Sequence, residues 1–447
     1  MQPSLHLVVG LGQTGISIAR FLQRRNMPFV VFDTRENPAG IAAFELEFPG
    51  VDLFLGVFPD ALYQGINGII CSPGVSLDET FIKKAVQMDI PVFGDLDCLM
   101  REVKDPVIAI TGTNGKSTVT TLVGEMIKAS GLNVAVAGNI GLPVLDILGV
   151  GVHYDAWVLE LPSFQLDLSH SLSPKVATIL NITPDHLDRH HTFSAYVESK
   201  HNIYQNADII LYNRDDKFTF PKIKNNSKPR VISYGSDTPK ENNWGIIKQQ
   251  EVTYLAKGND LILAVDKILL KGRHNWLNAL ASCALAEAAG VAQQYMIDVL
   301  QRFPGLAHRS QWVRTLDNID WVNDSKATNV GAAISAISGI GGSIHGKIVL
   351  IAGGQGKGAN FSDLSQPIAD YVRTVVLIGE DADIIEEVIP EKINIIRAGT
   401  LDDAVRKAYK HARSGDVVLM SPACASFDMF RDFNHRGDDF IAAVNSL

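Results

Sequence analysis

Short apolar runs closed by glycine, proline or a polar residue recur along the whole chain, and between them the apolar positions fall into a helical spacing. Leu5–Val9, Phe29–Phe32, Val107–Ile110, Ala156–Leu159, Ile348–Ala352 and Val417–Met420 are unbroken rather than alternating. Such runs suit strands buried on both faces, as in a parallel sheet. After Val107–Ile110 the period changes: Val119, Leu122, Val123, Met126 and Ile127 share one helical face, and Gly131 is placed to end it. Residues 208–272 read as strands and hairpins at Asp208–Asn213, Arg230–Gly235 and Leu261–Val265, with an exposed basic loop over Lys217–Lys228. Leu277–Ala292, rich in alanine, reads as one packed core helix. Pro91 with Asp95-Leu-Asp97, and then Pro304-Gly305, divide the pattern into residues 1–97, 98–303 and 304–447. At about 150 residues per domain a chain of 447 suits three such parts.

Chemistry gathers where the strands end. Thr111-Gly-Thr-Asn-Gly-Lys-Ser-Thr118 lies between a buried strand and a helix start. Gly112 and Gly115 let backbone N–H groups converge on a phosphate, Lys116 adds a cation, and Ser117 a hydroxyl for Mg²⁺, although Ile110 stands where the general phosphate-loop pattern has glycine. Gly10-Leu-Gly-Gln-Thr-Gly15, followed by a strand ending at Asp33, has dinucleotide-fingerprint spacing, with Asp33 able to accept a ribose hydroxyl and Arg35 a possible donor beyond it. A nicotinamide cofactor, another nucleotide and a plain tight turn all fit that stretch. Gly74 would let a ligand approach backbone after the next strand.

Glu160 interrupts an apolar strand near its carboxyl end, where a domain with a triphosphate loop has use for a Mg²⁺ ligand. Of the histidines and aspartates in Asp185–His191, His186 is singled out and the rest read as solvated. Lys200 shares a helical face with Phe193, Tyr196, Val197 and Tyr204; it either snorkels or is desolvated into a neutral amine able to take up carbon dioxide as a carbamate. Asn275 and Asn278, spaced i,i+3, can cap a helix or read an adenine edge. Arg309 is a candidate phosphate clamp.

Composition narrows the partners. Hydrophobic residues at 46% and charged residues at 20% describe an ordered globular protein, and a net charge of -9 argues against nucleic acid as the main partner. Four cysteines far apart, without a CxxC or Cys/His cluster, fit a reduced, cytoplasmic protein without structural zinc. No signal peptide or membrane span is expected.

Several of these stretches together resemble the Mur ligases. They are Thr111–Thr118, Glu160 with Ser163-Phe-Gln165, Asn181 through His186-Leu-Asp-Arg189, His274-Asn-Trp-Leu-Asn278, Asn323-Asp-Ser-Lys-Ala-Thr-Asn329, Gly353-Gly-Gln-Gly-Lys357 and Ser421-Pro-Ala-Cys-Ala-Ser426. The phosphate loop is shared with folylpolyglutamate synthases, whereas the 323–329 run resembles the branch that adds D-glutamate to UDP-N-acetylmuramoyl-L-alanine. The resemblance implies an α/β chain of three domains: a Rossmann-like N-terminal domain, a central P-loop ATPase-type parallel sheet with added strands, and a C-terminal doubly wound Rossmann-like domain. It implies that Thr14, Asp33, Thr34, Arg35, Gly74 and Asn139 meet the UDP-linked substrate. Gly112, Thr113, Asn114, Gly115, Lys116, Ser117, Thr118, Asn275, Asn278, Arg309, Asp324 and Lys326 would serve ATP.

By the same resemblance Ser117, Glu160, His186 and Lys200 would hold metal, as two Mg²⁺ with Lys200 carbamylated, and Lys116, Glu160, His186 and Lys200 would form the catalytic set. Thr328, Lys357, Ser426 and Phe427 match the D-glutamate contacts, with Phe433 and Arg436 nearby. Pro162, Asn360 and Phe427 depart from the family's usual serine, aspartate and leucine. A monomer acting on small molecules is expected, whose third domain closes over the central one about linkers near residues 97 and 303. A sibling ligase or a folylpolyglutamate synthase-like enzyme is the alternative.

Overall fold

The computed structural model describes residues 5–38, 40–222, 228–270 and 272–447. The apolar runs form strands that enter three sheets. In the first, β1 (Leu5–Val9), β2 (Phe29–Asp33), β3 (Leu53–Leu55), β4 (Ile66–Cys71) and β5 (Val92–Phe93) lie parallel in the order β3-β2-β1-β4-β5. In the second, β6 (Val107–Thr111), β7 (Val134–Gly138), β8 (Ala156–Glu160), β9 (Val176–Ile179), β10 (Ile209–Asn213) and β11 (Arg230–Tyr234) run parallel in the order β11-β10-β9-β6-β8-β7. Beside β11, β12 (Trp244–Gln249) pairs at Tyr234 and Trp244.

These two sheets belong to one compact unit, Met1–Gly235 with Asn242–Trp244 and Ala281–Met296. Within it one core runs from Val8, Val31 and Phe44 through Leu96 and Leu99 to Ala109, Leu159 and Ile179. Helix Asp95–Glu102 supplies those two leucines and carries residue 97 in its first turn. Its two first-turn aspartates are buried and bonded: Asp97 accepts the N–H groups of His170 and Ser171 at 3.0 and 2.6 Å.

The second unit is Ser236–Glu241, Gly245–Leu280 and Ile297–Leu447. It holds the antiparallel hairpin of β13 (Val252–Lys257) and β14 (Asp260–Ala264) and the third sheet. There β15 (Gln311–Leu316), β16 (Ile319–Asn323), β17 (Ile348–Gly353), β18 (Val372–Ile378), β19 (Asn394–Arg397) and β20 (Val417–Met420) take the order β15-β16-β20-β17-β18-β19. Only β15 is antiparallel to its neighbour. Cores on both faces, one around Leu350 and Leu377 and one around Ile351 and Val418, explain why these strands read as unbroken apolar runs.

Two expectations change and one open alternative is decided. The stretch read as one helix over Leu277–Ala292 is cut: a helix spans Arg273–Ala288, Gly290 turns left-handed at φ 93, and the next begins at Gln293. The basic stretch after Lys217 opens with a short 3-10 turn whose Thr219 is buried, while 223–227 and Lys271 lie outside the described residues. Lys200 does not snorkel, because its whole side chain is buried. Among the described residues no helix is long and apolar enough to cross a membrane.

Candidate active site

β6 delivers the phosphate loop to the carboxyl edge of the second sheet, and Gly115, at φ 83, caps helix Lys116–Ala129 in a conformation that side chains resist. The end of β9 sets the loop's shape. Thr113 N–H donates to Asn181 O at 2.8 Å, Asn114 N–H to Asn181 Oδ1 at 2.8 Å, and Asn181 Nδ2 back to Asn114 O at 3.0 Å. Lys116 Nζ curls over the loop to the carbonyls of Gly112 and Thr113, both at 2.8 Å.

Glu160 ends β8 between Ile110 of β6 and Gly138 of β7. Gly138 must lack a side chain, since a Cβ there would sit 2.2 Å from Glu160 O. Glu160 Oε1 accepts Asn139 Nδ2 at 3.1 Å, whereas the buried Oε2 has no hydrogen-bond partner among the described residues. A buried anionic oxygen left open beside a phosphate loop fits a divalent cation. Among the described residues no three His, Cys, Asp or Glu side chains cluster as a metal cage.

Lys200 Nζ donates to Gly112 O at 2.9 Å and lies 4.7 Å from the centre of the Tyr196 ring. Burial, with the Lys116 charge adding to it, pulls its amine well below the ordinary lysine range. His186 is exposed at φ 51, with Phe164 stacked edge-on at 5.9 Å. The buried histidine of that turn is His190 instead, whose Nε2 lies 2.9 Å from Ser163 Oγ. Burial holds its imidazole below the usual value.

Thr14, Asp33, Thr34, Arg35, Gly74 and Asn139 line one cleft of about 660 Å³, together with Gln13, Ile140, Phe164 and Gln165. Asp33 is less open to a ribose than its strand-end position suggests. It accepts Leu11 N–H at 2.7 Å and Arg35 Nη2 at 2.8 Å, so a ribose hydroxyl would have to share those oxygens. Burial pushes its carboxyl up, but Arg35 and the backbone N–H groups of Leu11 and Arg35 outweigh that and hold it below the usual range.

Sequence reasoning passed over two supports of this cleft. Arg189 donates to Gly74 O at 3.0 Å and Val75 O at 2.6 Å, fixing the strand-end loop; its signal lay within the Asn181–Arg189 motif. Asp95 accepts Gln165 Nε2 on both oxygens, at 2.9 and 3.0 Å, and burial raises it to about 6; no local pattern announces that pair.

In the second unit Asn278 Nδ2 donates to Asn275 Oδ1 at 3.1 Å, so the two amides orient each other. Asp324 accepts Ser310 N–H at 2.9 Å and Ser421 Oγ–H at 2.8 Å, and burial lifts its carboxyl to about 6. Lys326 Nζ sits 3.7 Å from the centre of the Phe433 ring, and Lys357 Nζ 5.2 Å from that of Phe427, which is itself 61% exposed. Ser426 is buried at the end of the loop after β20.

Family models match almost end to end: a Mur ligase MurD-like N-terminal domain over residues 4–94, a Mur ligase middle domain over 110–286, and a Mur ligase glutamate ligase domain over 308–424. The chain belongs to the Mur ligase family, whose members are ATP-dependent amide ligases. It is 59% identical over 447 residues, 100% of both chains, to the UDP-N-acetylmuramoylalanine--D-glutamate ligase of Legionella pneumophila (strain Paris). It is 44% identical to the Pseudomonas aeruginosa protein of the same name, over 99% of this chain and 98% of that one. Among solved structures, a pseudomurein peptide ligase type C from Methanothermus fervidus shares the fold at TM-score 0.60 and 19% identity, covering 98% and 99% of the two chains. A MurF ligase from Thermotoga maritima in complex with ADP does so at 0.60 and 17%, covering 88% and 94%. The three-part α/β architecture expected from the sequence is therefore borne out.

Proposed function

We propose that this chain joins D-glutamate to UDP-N-acetylmuramoyl-L-alanine at the expense of ATP, a step in building the peptidoglycan precursor. Full-length identity of 59% to a ligase of that name carries the reading. The geometry supports it with a phosphate loop, a nucleotide-sized cleft and an open carboxylate oxygen within one unit.

A carboxylate is a poor electrophile. The terminal alanine carboxylate therefore attacks the γ-phosphorus of ATP; ADP leaves, and an acyl phosphate forms. The amine of D-glutamate then adds to the acyl carbon, phosphate departs, and the nitrogen loses a proton as the amide closes. The first step crowds anions together, so the loop N–H groups and Lys116 must offset charge on the phosphates. Ser117, Glu160, His186 and Lys200 would hold Mg²⁺, which supplies further neutralisation of the transferring phosphoryl group. Lys200 suits this role as a carbamate, because a desolvated neutral amine can add to carbon dioxide. Protein equilibrated with ¹³C-bicarbonate should show a carbamate resonance that Lys200→Met abolishes.

The cleft around Thr14, Asp33, Thr34, Arg35, Gly74 and Asn139 takes the UDP-linked substrate. Asn275, Asn278, Arg309, Asp324 and Lys326 serve ATP, and Thr328, Lys357, Ser426 and Phe427 receive D-glutamate. The functional parts run 1–97, 98–303 and 304–447, and the enzyme works as a cytoplasmic monomer. The test is phosphate release with ATP, Mg²⁺, the UDP-linked alanine substrate and D-glutamate, omitting each in turn. Release that is indifferent to D-glutamate, or absent from the complete mixture, refutes the assignment.

A further inference from the structure

Three loops at the carboxyl edge of the third sheet carry the residues proposed to receive the amino acid. The loop after β16 brings Thr328, the loop after β17 brings Lys357, and the loop after β20 brings Ser426. Two of them hold positive-φ backbone: Lys357 at φ 53 and Ala423 at φ 61 are left-handed, and Gly353 and Gly354 stand at φ 122 and 129. Such geometry persists only where the surroundings over-determine it.

Beneath the loops lies Arg436, on helix Phe433–Asn445, with 1% of its surface exposed. Its Nε donates to Ser325 Oγ at 3.0 Å, and its Nη2 to Ser325 O at 2.8 Å and Cys424 O at 3.1 Å. Its Nη1 donates to Ala425 O at 3.3 Å. Ala425 in turn exchanges both backbone hydrogen bonds with Gln355, at 2.9 and 3.0 Å, and a Cβ on Gly354 would come 3.3 Å from Nη1. One guanidinium thus touches two loops directly and reaches the third through Ala425.

All four of those hydrogen bonds end on neutral oxygens. Asp324 bonds instead to Ser310 and Ser421, and Asp428 Oδ2 accepts the Glu380 N–H, while Asp428 Oδ1 is buried without a hydrogen-bond partner among the described residues. An apolar side chain could fill the same volume. A guanidinium adds a rigid fork that meets carbonyls in several directions and a positive charge that no bonded carboxylate cancels.

We propose that Arg436 is a positioning residue for the amino-acid substrate, setting the loops that carry Thr328, Lys357 and Ser426 and placing behind them a positive charge that favours an anionic amino acid. This rests on the function proposed above. The experiment compares Arg436→Met, Arg436→Lys and Ser325→Ala with the wild-type enzyme by steady-state phosphate release, varying each substrate separately, with thermal melts to measure the folded fraction.

Arg436→Met should raise KM for D-glutamate by about tenfold or more, the size of losing a buried charge-assisted contact, with KM for ATP and for the UDP-linked substrate within about threefold. Arg436→Lys, which keeps the charge and loses the fork, should fall between Arg436→Met and wild type. Ser325→Ala, which removes one acceptor, should raise the same KM by about threefold. A purely structural arginine predicts instead a lower folded fraction and lower kcat at unchanged KM, and that result overturns the proposal, as does an equal rise in all three KM values. If Arg436→Met does not fold, Arg436→Lys and Ser325→Ala decide by the same readout, and an unchanged D-glutamate KM in both overturns it. Wild-type enzyme that releases no phosphate in response to D-glutamate would overturn the proposed function itself, an outcome distinct from variants that keep the wild-type KM.

Discussion

Replacing Asp33 by alanine removes the carboxylate that ties the glycine turn after β1 to the end of β2. Oδ2 accepts Leu11 N–H at 2.7 Å and Arg35 Nη2 at 2.8 Å, while Oδ1 accepts Arg35 N–H and Nε, both at 2.9 Å. The Arg35 side chain is 61% exposed, so its share of the ion pair is screened and contributes roughly 0–1 kcal/mol. The Leu11 bond is buried, and its loss strands an N–H at a cost of about 1–3 kcal/mol. A total of about 1–4 kcal/mol lowers the melting temperature of the first unit by roughly 2–16 °C.

Because the same turn lines the cleft, KM for the UDP-linked substrate should rise by about tenfold while KM for ATP stays put. The pH dependence follows from the carboxyl's lowered value. Below its ordinary 3.8 the unfolded chain binds a proton that the folded one resists, so the stabilisation is full at neutral pH and fades as pH falls from 3.8 through the lower folded value. Differential scanning fluorimetry across pH 7 to 3 and steady-state kinetics read both effects. A variant that melts and binds like wild type at pH 7 would refute the reasoning.

Three further outcomes are expected. Lys116→Met should cut kcat by roughly 100-fold or more, measured as ADP release, because one preorganised charge at a transferring phosphoryl group is worth several kcal/mol; a loss under about fivefold would remove Lys116 from the chemistry. Glu160→Gln neutralises a buried carboxylate with an open oxygen, so the metal-free protein should melt at or above the wild-type temperature while the Mg²⁺-dependent rise in melting temperature and the activity both disappear; retained Mg²⁺ stabilisation would contradict the metal assignment. Asp324, raised by burial from 3.8 to about 6, is protonated more readily in the folded state, so its stability contribution is lost as pH climbs from 3.8 through 6. Asp324→Asn should therefore gain melting temperature relative to wild type more at pH 8 than at pH 4.5, and an equal shift at both would show that the carboxyl does not titrate there.

The strand, turn and helix around Lys116 were legible because each rests on local physics: an unbroken apolar run, glycines free to turn, and a period of three to four immediately after. The same locality misled at Leu277–Ala292, where alanine-rich periodicity on both sides hid the left-handed turn at Gly290. The six residues expected to meet the UDP-linked substrate do line one cleft. Of their supports, Arg189 stood inside a quoted motif but its partners, and the Asp95–Gln165 pair, were out of reach, because residues 70 or more apart leave no spacing to read.

By itself the sequence determined the long unbroken apolar strands, that they are buried on both faces, and where glycine, lysine and carboxylate interrupt them, since these depend on backbone freedom and on which faces are apolar. Tertiary structure alone decided that Lys200 is buried rather than snorkelling, that His190 and not His186 is the enclosed histidine, and that Arg436 underlies three loops. A pattern along the chain shows that a face seeks cover. What covers it, and so which charge is stripped of water and which polar atom is left open, follows only once distant segments pack against it.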